Sequence, residues 1–99
     1  MVVKLDDKRL QESHILLHPI RFRLVEMLTQ KPMFINELSK AIGEERRLVS
    51  YHLRTLEDYG FVSSRYEISE EKKSKGKALR RYWVTDKVEQ VKRMIKESL

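Results

Sequence analysis

Two of the chain's three glycines bracket the segment 44–59, and what lies between them restricts the fold more than any other stretch. At about 100° per residue around a helix axis, Val49, Leu53 and Leu56 gather on one side, which must face a core. Arg47, Tyr51 and Arg54 gather on the opposite side, with Ser50 at their edge, and Arg46 and His52 fall on the flanks. Before Gly43, the residues Leu38, Ala41 and Ile42 form the inward face of a short helix that Asn36 can cap. Gly43 is placed to end that helix in the left-handed conformation, and Gly60 ends the next one. Two helices around a single glycine turn make a helix-turn-helix.

The flanking segments extend this unit. Asp6 and Asp7 can cap a first helix over about 6–17, in which Leu10, His14 and Leu17 share one face. Pro19 restricts His18, ends that helix and can occupy the first turn of a second over 20–30. This second helix is apolar on most sides, through Ile20, Phe22, Leu24, Val25, Met27 and Leu28, as expected of a helix in the middle of a domain. After Gly60, Val62, Ser64, Tyr66 and Ile68 alternate with Ser63, Arg65 and Glu67, which is strand periodicity. A polar stretch containing Gly76 follows, then a return strand over 78–84 with Leu79, Tyr82, Trp83 and Val84. Aromatics at this spacing pack onto helices, and Trp83 is expected in the core. Thr85 or Asp86 caps a last helix, about 85–98, striped by Val88, Val91, Ile95 and Leu99 with Met94 beside them. The order α-α-α-α-β-β-α, mostly helical with a small β-hairpin over 61–84, is the layout of a winged helix-turn-helix. Its 99 residues make a single domain, since two cores would each be too small.

Charge narrows the class of partner. The net charge is +6, and residues 61–81 alone contribute seven cations against three acids. Lys72, Lys73, Lys75, Lys77, Arg80 and Arg81 crowd ten residues that hold no acid, at the tip and return arm of the hairpin. A basic hairpin can follow a nucleic-acid backbone or enter a minor groove; lysines on a loop also serve simply to keep it solvated. Glu70 and Glu71 belong to the ascending side, away from phosphates. There is no cysteine, which excludes disulfides, thiolate metal sites and a cysteine nucleophile and fits a cytoplasmic protein. No stretch approaches the roughly 20 apolar residues that span a bilayer.

Taken alone, 44–59 is equally an amphipathic surface helix with solvated arginines. Its residue types nevertheless suit a DNA major groove, because arginine can reach guanine O6 and N7 together and hydroxyls can meet bases or phosphates. The series Val49-Ser50-x-His52-Leu53-x-x-Leu56-x-x-x-Gly60-Phe61-Val62 resembles the recognition-helix signature of the ArsR-type winged-helix regulators. His18-Pro19-x-Arg21 and Glu37-Leu38-x-x-Ala41-Ile42-Gly43 are similar to that family's second and third helices. The likeness covers about 15–84. It implies a homodimer on near-palindromic DNA with recognition helices in adjacent major grooves, and carries DNA reading onto Ser50, Tyr51 and His52. The sequence departs from the family in three places. Glu44 and Glu45 stand where a serine or threonine cap is usual. No cysteine pair is present for metal sensing, and the last helix offers Asp86, Glu89 and Glu97 without a histidine.

The expectation is therefore a sequence-specific regulator of transcription, a repressor by resemblance, bound to double-stranded DNA as a homodimer. Arg46, Arg47, Ser50, Tyr51, His52 and Arg54 would meet the major groove, and the six basic hairpin residues the backbone. Leu10 and Leu17 of the first helix and Val88, Val91, Met94, Ile95 and Leu99 of the last would form the dimer interface. No cofactor, metal or membrane partner is implied, and no effector can be named. His14 and His18 stand at i and i+4, a metal-clamping spacing, but with no third ligand nearby they read as core or interface histidines. No serine-histidine-acid set, glycine-rich phosphate loop or pair of catalytic carboxylates suggests an enzyme. Two other functions stay open: a winged helix used for protein interaction, with Arg47 and Arg54 facing acids, and a non-specific nucleic-acid coat, which would depend on wing lysines and not on Tyr51.

Overall fold

The computed structural model describes residues 6–68 and 76–99. Helix α1 (Asp7–Leu17) begins at Asp6, whose carboxylate accepts the Arg9 N–H at 2.8 Å. His18 closes α1 and caps α2 (Pro19–Gln30) with its own ring, Nδ1 accepting the Ile20 N–H at 3.2 Å. Proline at the first position of α2 loses no hydrogen bond there, since that N–H has no intrahelical acceptor.

Strand β1 (Met33–Phe34) comes next and was not expected, because two residues carry no periodicity. It pairs Met33 with Tyr82 and Phe34 with Arg81, so the hairpin becomes a three-stranded antiparallel sheet of order β1-β3-β2. Helix α3 (Ile35–Ile42) follows without a loop. Asn36 is not its cap: the cap lies two residues earlier, at Phe34, and Glu37 reaches back to accept the Phe34 N–H at 2.9 Å. Gly43 ends α3 at φ +75°, its N–H donating to the Ser39 carbonyl. Helix α4 (Arg46–Asp58) is two residues shorter at its start and one at its end than 44–59, with Glu45 as N-cap.

Strands β2 (Val62–Ile68) and β3 (Ala78–Val84) pair in one register from Val62–Val84 to Ile68–Ala78. Opposed residues share a face, so Ser64, Tyr66, Arg80 and Tyr82 lie on one side of the sheet and Arg65, Glu67, Arg81 and Trp83 on the other. Trp83 is therefore not in the core. It is half-buried on the outer face with the Arg65 guanidinium 5.9 Å from its ring, while Tyr82 is buried in its place. Thr85 ties the sheet to the end of α4, its hydroxyl donating to the Gly60 carbonyl at 2.6 Å. Helix α5 (Lys87–Ser98) then returns beside α1, where the Lys87 ammonium joins the Glu12 carboxylate and the Tyr59 carbonyl.

The core runs from Leu16, Leu24 and Val25 through Leu38, Val49, Leu53 and Leu56 to Phe61, all without exposure. Val88 and Val91 complete it at 1% and 3% exposure, and this corrects their assignment to a dimer interface. An apolar stripe shows that a helix is covered; here the first half of the stripe is covered by the protomer's own core.

Candidate nucleic-acid interface

Helix α4 is pinned by three fully buried side chains, Val49, Leu53 and Leu56. Each such burial contributes about 1.5–3 kcal/mol, so the helix cannot roll without losing several kcal/mol. That fixes the opposite face. Arg47, Ser50, Tyr51 and Arg54 are all exposed, Tyr51 by 61%, and Arg46 is exposed at the first turn. The face expected to meet a partner is thus presented as a continuous stripe of cations and hydroxyls.

His52 does not belong to it. It is 5% exposed and its Nδ1 lies 3.1 Å from Arg21 Nη1, while its ring lies 4.6 Å from that of His18. A wheel gives an angle about the helix's own axis and not what packs on the flank, and here the start of α2 fills that flank. Arg21 is buried too, and its Nε donates to the Ile15 carbonyl at 2.6 Å. The His18–Pro19–x–Arg21 motif therefore binds the end of α1, the start of α2 and the middle of α4 into one joint. Burial, then the neighbouring His18 and Arg21, hold His52 below the ordinary histidine value. Burial, then Arg21 and His14, do the same to His18. Burial also lowers Arg21, against Tyr51 and Tyr59. Both Nδ1 atoms accept hydrogen bonds, which requires neutral rings protonated at Nε2.

The sheet face carrying Tyr66, Arg80 and Tyr82 stands across a cleft from Arg46, Arg47 and Ser50, and the cleft encloses about 420 Å³. Arg80 donates to Ser64 Oγ at 2.7 Å and lies 4.5 Å over the Tyr66 ring. Arg81 points to the outer face, bonded to Glu67 at 3.0 Å. Hydrogen bonds from Arg81, then Arg65, hold the Glu67 carboxyl below its ordinary value, and burial raises Tyr82. Lys77 is exposed beside Gly76. Lys72, Lys73 and Lys75, with Glu70 and Glu71, lie outside the described residues. Tyr66 lines the cleft, and Ser64, bonded to both Arg80 and Glu57, lies beside it; the sequence singled out none of the three as a site residue. The alternation of β2 put Ser64 and Tyr66 on one face, but their opposition to Tyr82 and Arg80 depends on the hairpin register.

On the dimer side, Leu10 is 58% and Leu17 51% exposed, and His14 is exposed between them. Met94 and Ile95 are half-buried and Leu99 is 97% exposed. Among the described residues no group of three or more histidines, cysteines or acids could hold a metal ion, and no helix is long and apolar enough to cross a membrane.

A helix-turn-helix whose second helix is followed at once by an antiparallel sheet, with a basic cleft between them, is a winged helix-turn-helix domain. Residues 16–65 match a protein-family model described as a helix-turn-helix domain, and the chain belongs to that family. Its fold is that of the ArsR-type winged helix-turn-helix regulators. A possible transcriptional regulator for arsenical resistance is similar at 25% identity and TM-score 0.66, over 84% of this chain and 78% of that one. Diamide-treated YodB from B. subtilis is similar at 16% identity and TM-score 0.75, over 96% and 89%. A homodimeric winged helix-turn-helix DNA-binding domain from Mycobacterium bovis, a possible ArsR-family transcriptional regulator, is similar at 18% identity and TM-score 0.68, over 97% and 87%. No curated protein matches the chain.

Proposed function

We propose that this protein is a sequence-specific regulator of transcription that binds double-stranded DNA as a homodimer and acts as a repressor. The observation that carries the proposal is the stripe of Arg47, Ser50, Tyr51 and Arg54 on a helix clamped from behind by Val49, Leu53 and Leu56. A rigid helix with this face outward has the width and the donors that a major groove accepts. Arg46 and Arg80 flank it as backbone contacts, and Lys77 extends the basic surface onto the wing. The dimer is formed by Leu10 and Leu17 of α1 with Met94, Ile95 and Leu99 of α5, the apolar residues that the protomer leaves partly or wholly open. The Mycobacterium bovis domain, itself homodimeric, supports a dimer. The repressor role follows the family resemblance.

Alanine at Arg47, Tyr51 or Arg54 tests base reading. On the duplex lying upstream of the protein's own gene, each is expected to weaken binding by about 1–3 kcal/mol where a base contact is lost. A scrambled duplex should register much less for Tyr51→Ala, which removes no charge. Equal losses on both duplexes would indicate a non-specific coat.

A further inference from the structure

The joint of His18, Arg21 and His52 has an uncommon charge balance. Arg21 is a buried cation, yet among the described residues neither it nor the two rings forms an ion pair with a carboxylate. Its guanidinium is held by neutral acceptors instead, the Ile15 carbonyl at 2.6 Å and His52 Nδ1 at 3.1 Å. The titratable groups acting on the joint come from three helices: His14 of α1, His18 and Arg21 of α2 and its cap, and Tyr51 and Tyr59 at the middle and end of α4. Glu12, the buried acid of α1, is engaged by Lys87 of α5.

Both rings use Nδ1 as an acceptor, His52 from Arg21 and His18 from the Ile20 N–H at 3.2 Å. A proton added to either ring turns that acceptor into a donor aimed at another donor. It also sets a second positive charge beside a buried one, without an ion pair to offset it. The two rings lie 4.6 Å apart, so a charge on one acts on the other. Burial first, and then these neighbours, hold both rings below the ordinary histidine value, so they are neutral above about pH 7.

The joint reaches the exposed face of α4 through Tyr51. Adjacent residues of a helix do not face each other, yet the Tyr51 ring meets the His52 ring edge-on, with centroids 5.2 Å apart and planes at 68°. Tyr51 therefore leans toward the joint while remaining 61% exposed, within the stripe that Arg47, Ser50 and Arg54 complete.

We propose that His52 is a proton-sensitive positioning residue: neutral, it seats α4 against α1 and α2 and orients Tyr51 for base reading, and protonated, it releases both, so that sequence-specific DNA binding is lost in mild acid while the domain stays folded. This rests on the DNA-binding function proposed above. His52 touches no base; it acts through Tyr51 and through the seat of the helix. The neutral form alone reads sequence, so discrimination is complete above the histidine's range and falls as pH drops through it.

The test is fluorescence anisotropy at constant salt, from about pH 8 down to about pH 5, with the duplex upstream of the protein's own gene and a scrambled one, circular dichroism reading the fold at each pH. Below about pH 6.5 the ratio of the two affinities should fall, approaching tenfold per pH unit for one proton. The scrambled duplex should keep or gain affinity, because added positive charge favours phosphates. His52→Asn keeps an acceptor near the Nδ1 position and takes up no proton in this range; it should discriminate as the unaltered protein does at about pH 8, and do so at every pH. Should His52→Asn fail to fold, ring-proton NMR of the unaltered protein decides, since the Tyr51 resonances should shift together with the His52 titration. A ratio that stays constant into acid, a parallel loss on both duplexes, a loss that appears only with the loss of helical signal, an unchanged pH profile in His52→Asn, or Tyr51 resonances indifferent to His52 would overturn the proposal. If the unaltered protein does not discriminate between the duplexes at any pH, base reading itself has failed, and this proposal with it.

Discussion

Replacing Arg21 by methionine should unsettle the whole domain, although Arg21 is buried and no part of the exposed face of α4. The side chain is 7% exposed and makes two contacts between elements. Its Nε donates at 2.6 Å to the Ile15 carbonyl, in the last turn of α1, where carbonyls lack an intrahelical donor. Its Nη1 meets His52 Nδ1 at 3.1 Å. Hydrogen bonds to a charged group contribute about 1.5–3 kcal/mol each, and losing them leaves a buried acceptor on either side. Methionine keeps the apolar stem and relieves the cost of burying a charge, which offsets part of the loss. The net expectation is a destabilisation of about 2–4 kcal/mol, from a total of about 5–15 for a domain of this size. At about 4–8 °C per kcal/mol the melting temperature falls by roughly 8–32 °C. Circular dichroism during urea and thermal unfolding reads this, with protein concentration held fixed because a dimer's apparent stability depends on it. Arg21→Lys should fall between, since one ammonium cannot serve both acceptors in the same geometry. If Arg21→Met lies within about 1 kcal/mol of the unaltered protein, the joint does not seat α4, and the physical account of the His18–Arg21 motif is wrong.

Three further outcomes follow from the same geometry. His18 and His52 are both held below their ordinary value of 6.5, so the unfolded chain takes up their protons first. Stability should be level above about pH 7 and decline as pH falls through 6.5, with a limiting slope of about 1.4 kcal/mol per pH unit for each histidine; His52→Asn should flatten this limb in denaturant titrations, and a level profile in the unaltered protein would contradict it. Leu10→Glu combined with Leu17→Glu should leave the protomer folded and raise the dimer dissociation constant by about a hundredfold or more, read by sedimentation; an undiminished dimer would move the interface elsewhere. Gly43→Ala should cost about 1–2 kcal/mol through backbone strain alone, since φ is +75° and an added Cβ would meet nothing within 4 Å; unchanged stability would show that the turn can relax.

Much of this architecture was legible because local chemistry and tertiary packing agree. The two faces of α4 follow from spacing alone, and Pro19 separates α1 from α2 as its geometry dictates. What escaped was decided by neighbours. His52 was placed correctly on a flank, but nothing in 44–59 tells that Arg21 and His18 close over it. The stripe of α5 divides between the protomer's own core, at Val88 and Val91, and the open end at Leu99, and a repeat of apolar residues cannot say where one gives way to the other. Met33 and Phe34 join the sheet through their pairing with Tyr82 and Arg81, a long-range contact with no local signature. Arg80 and Arg81 look equivalent in a basic run until the register of β2 and β3 puts them on opposite faces.

The most direct test of the central claim is anisotropy of the unaltered protein with the duplex upstream of its own gene and with a scrambled one at a single physiological salt concentration. The native duplex should bind about a thousandfold or more tightly than the scrambled one. Equal affinity for both would contradict base reading by α4 and leave a basic protein that coats nucleic acid without regard to sequence.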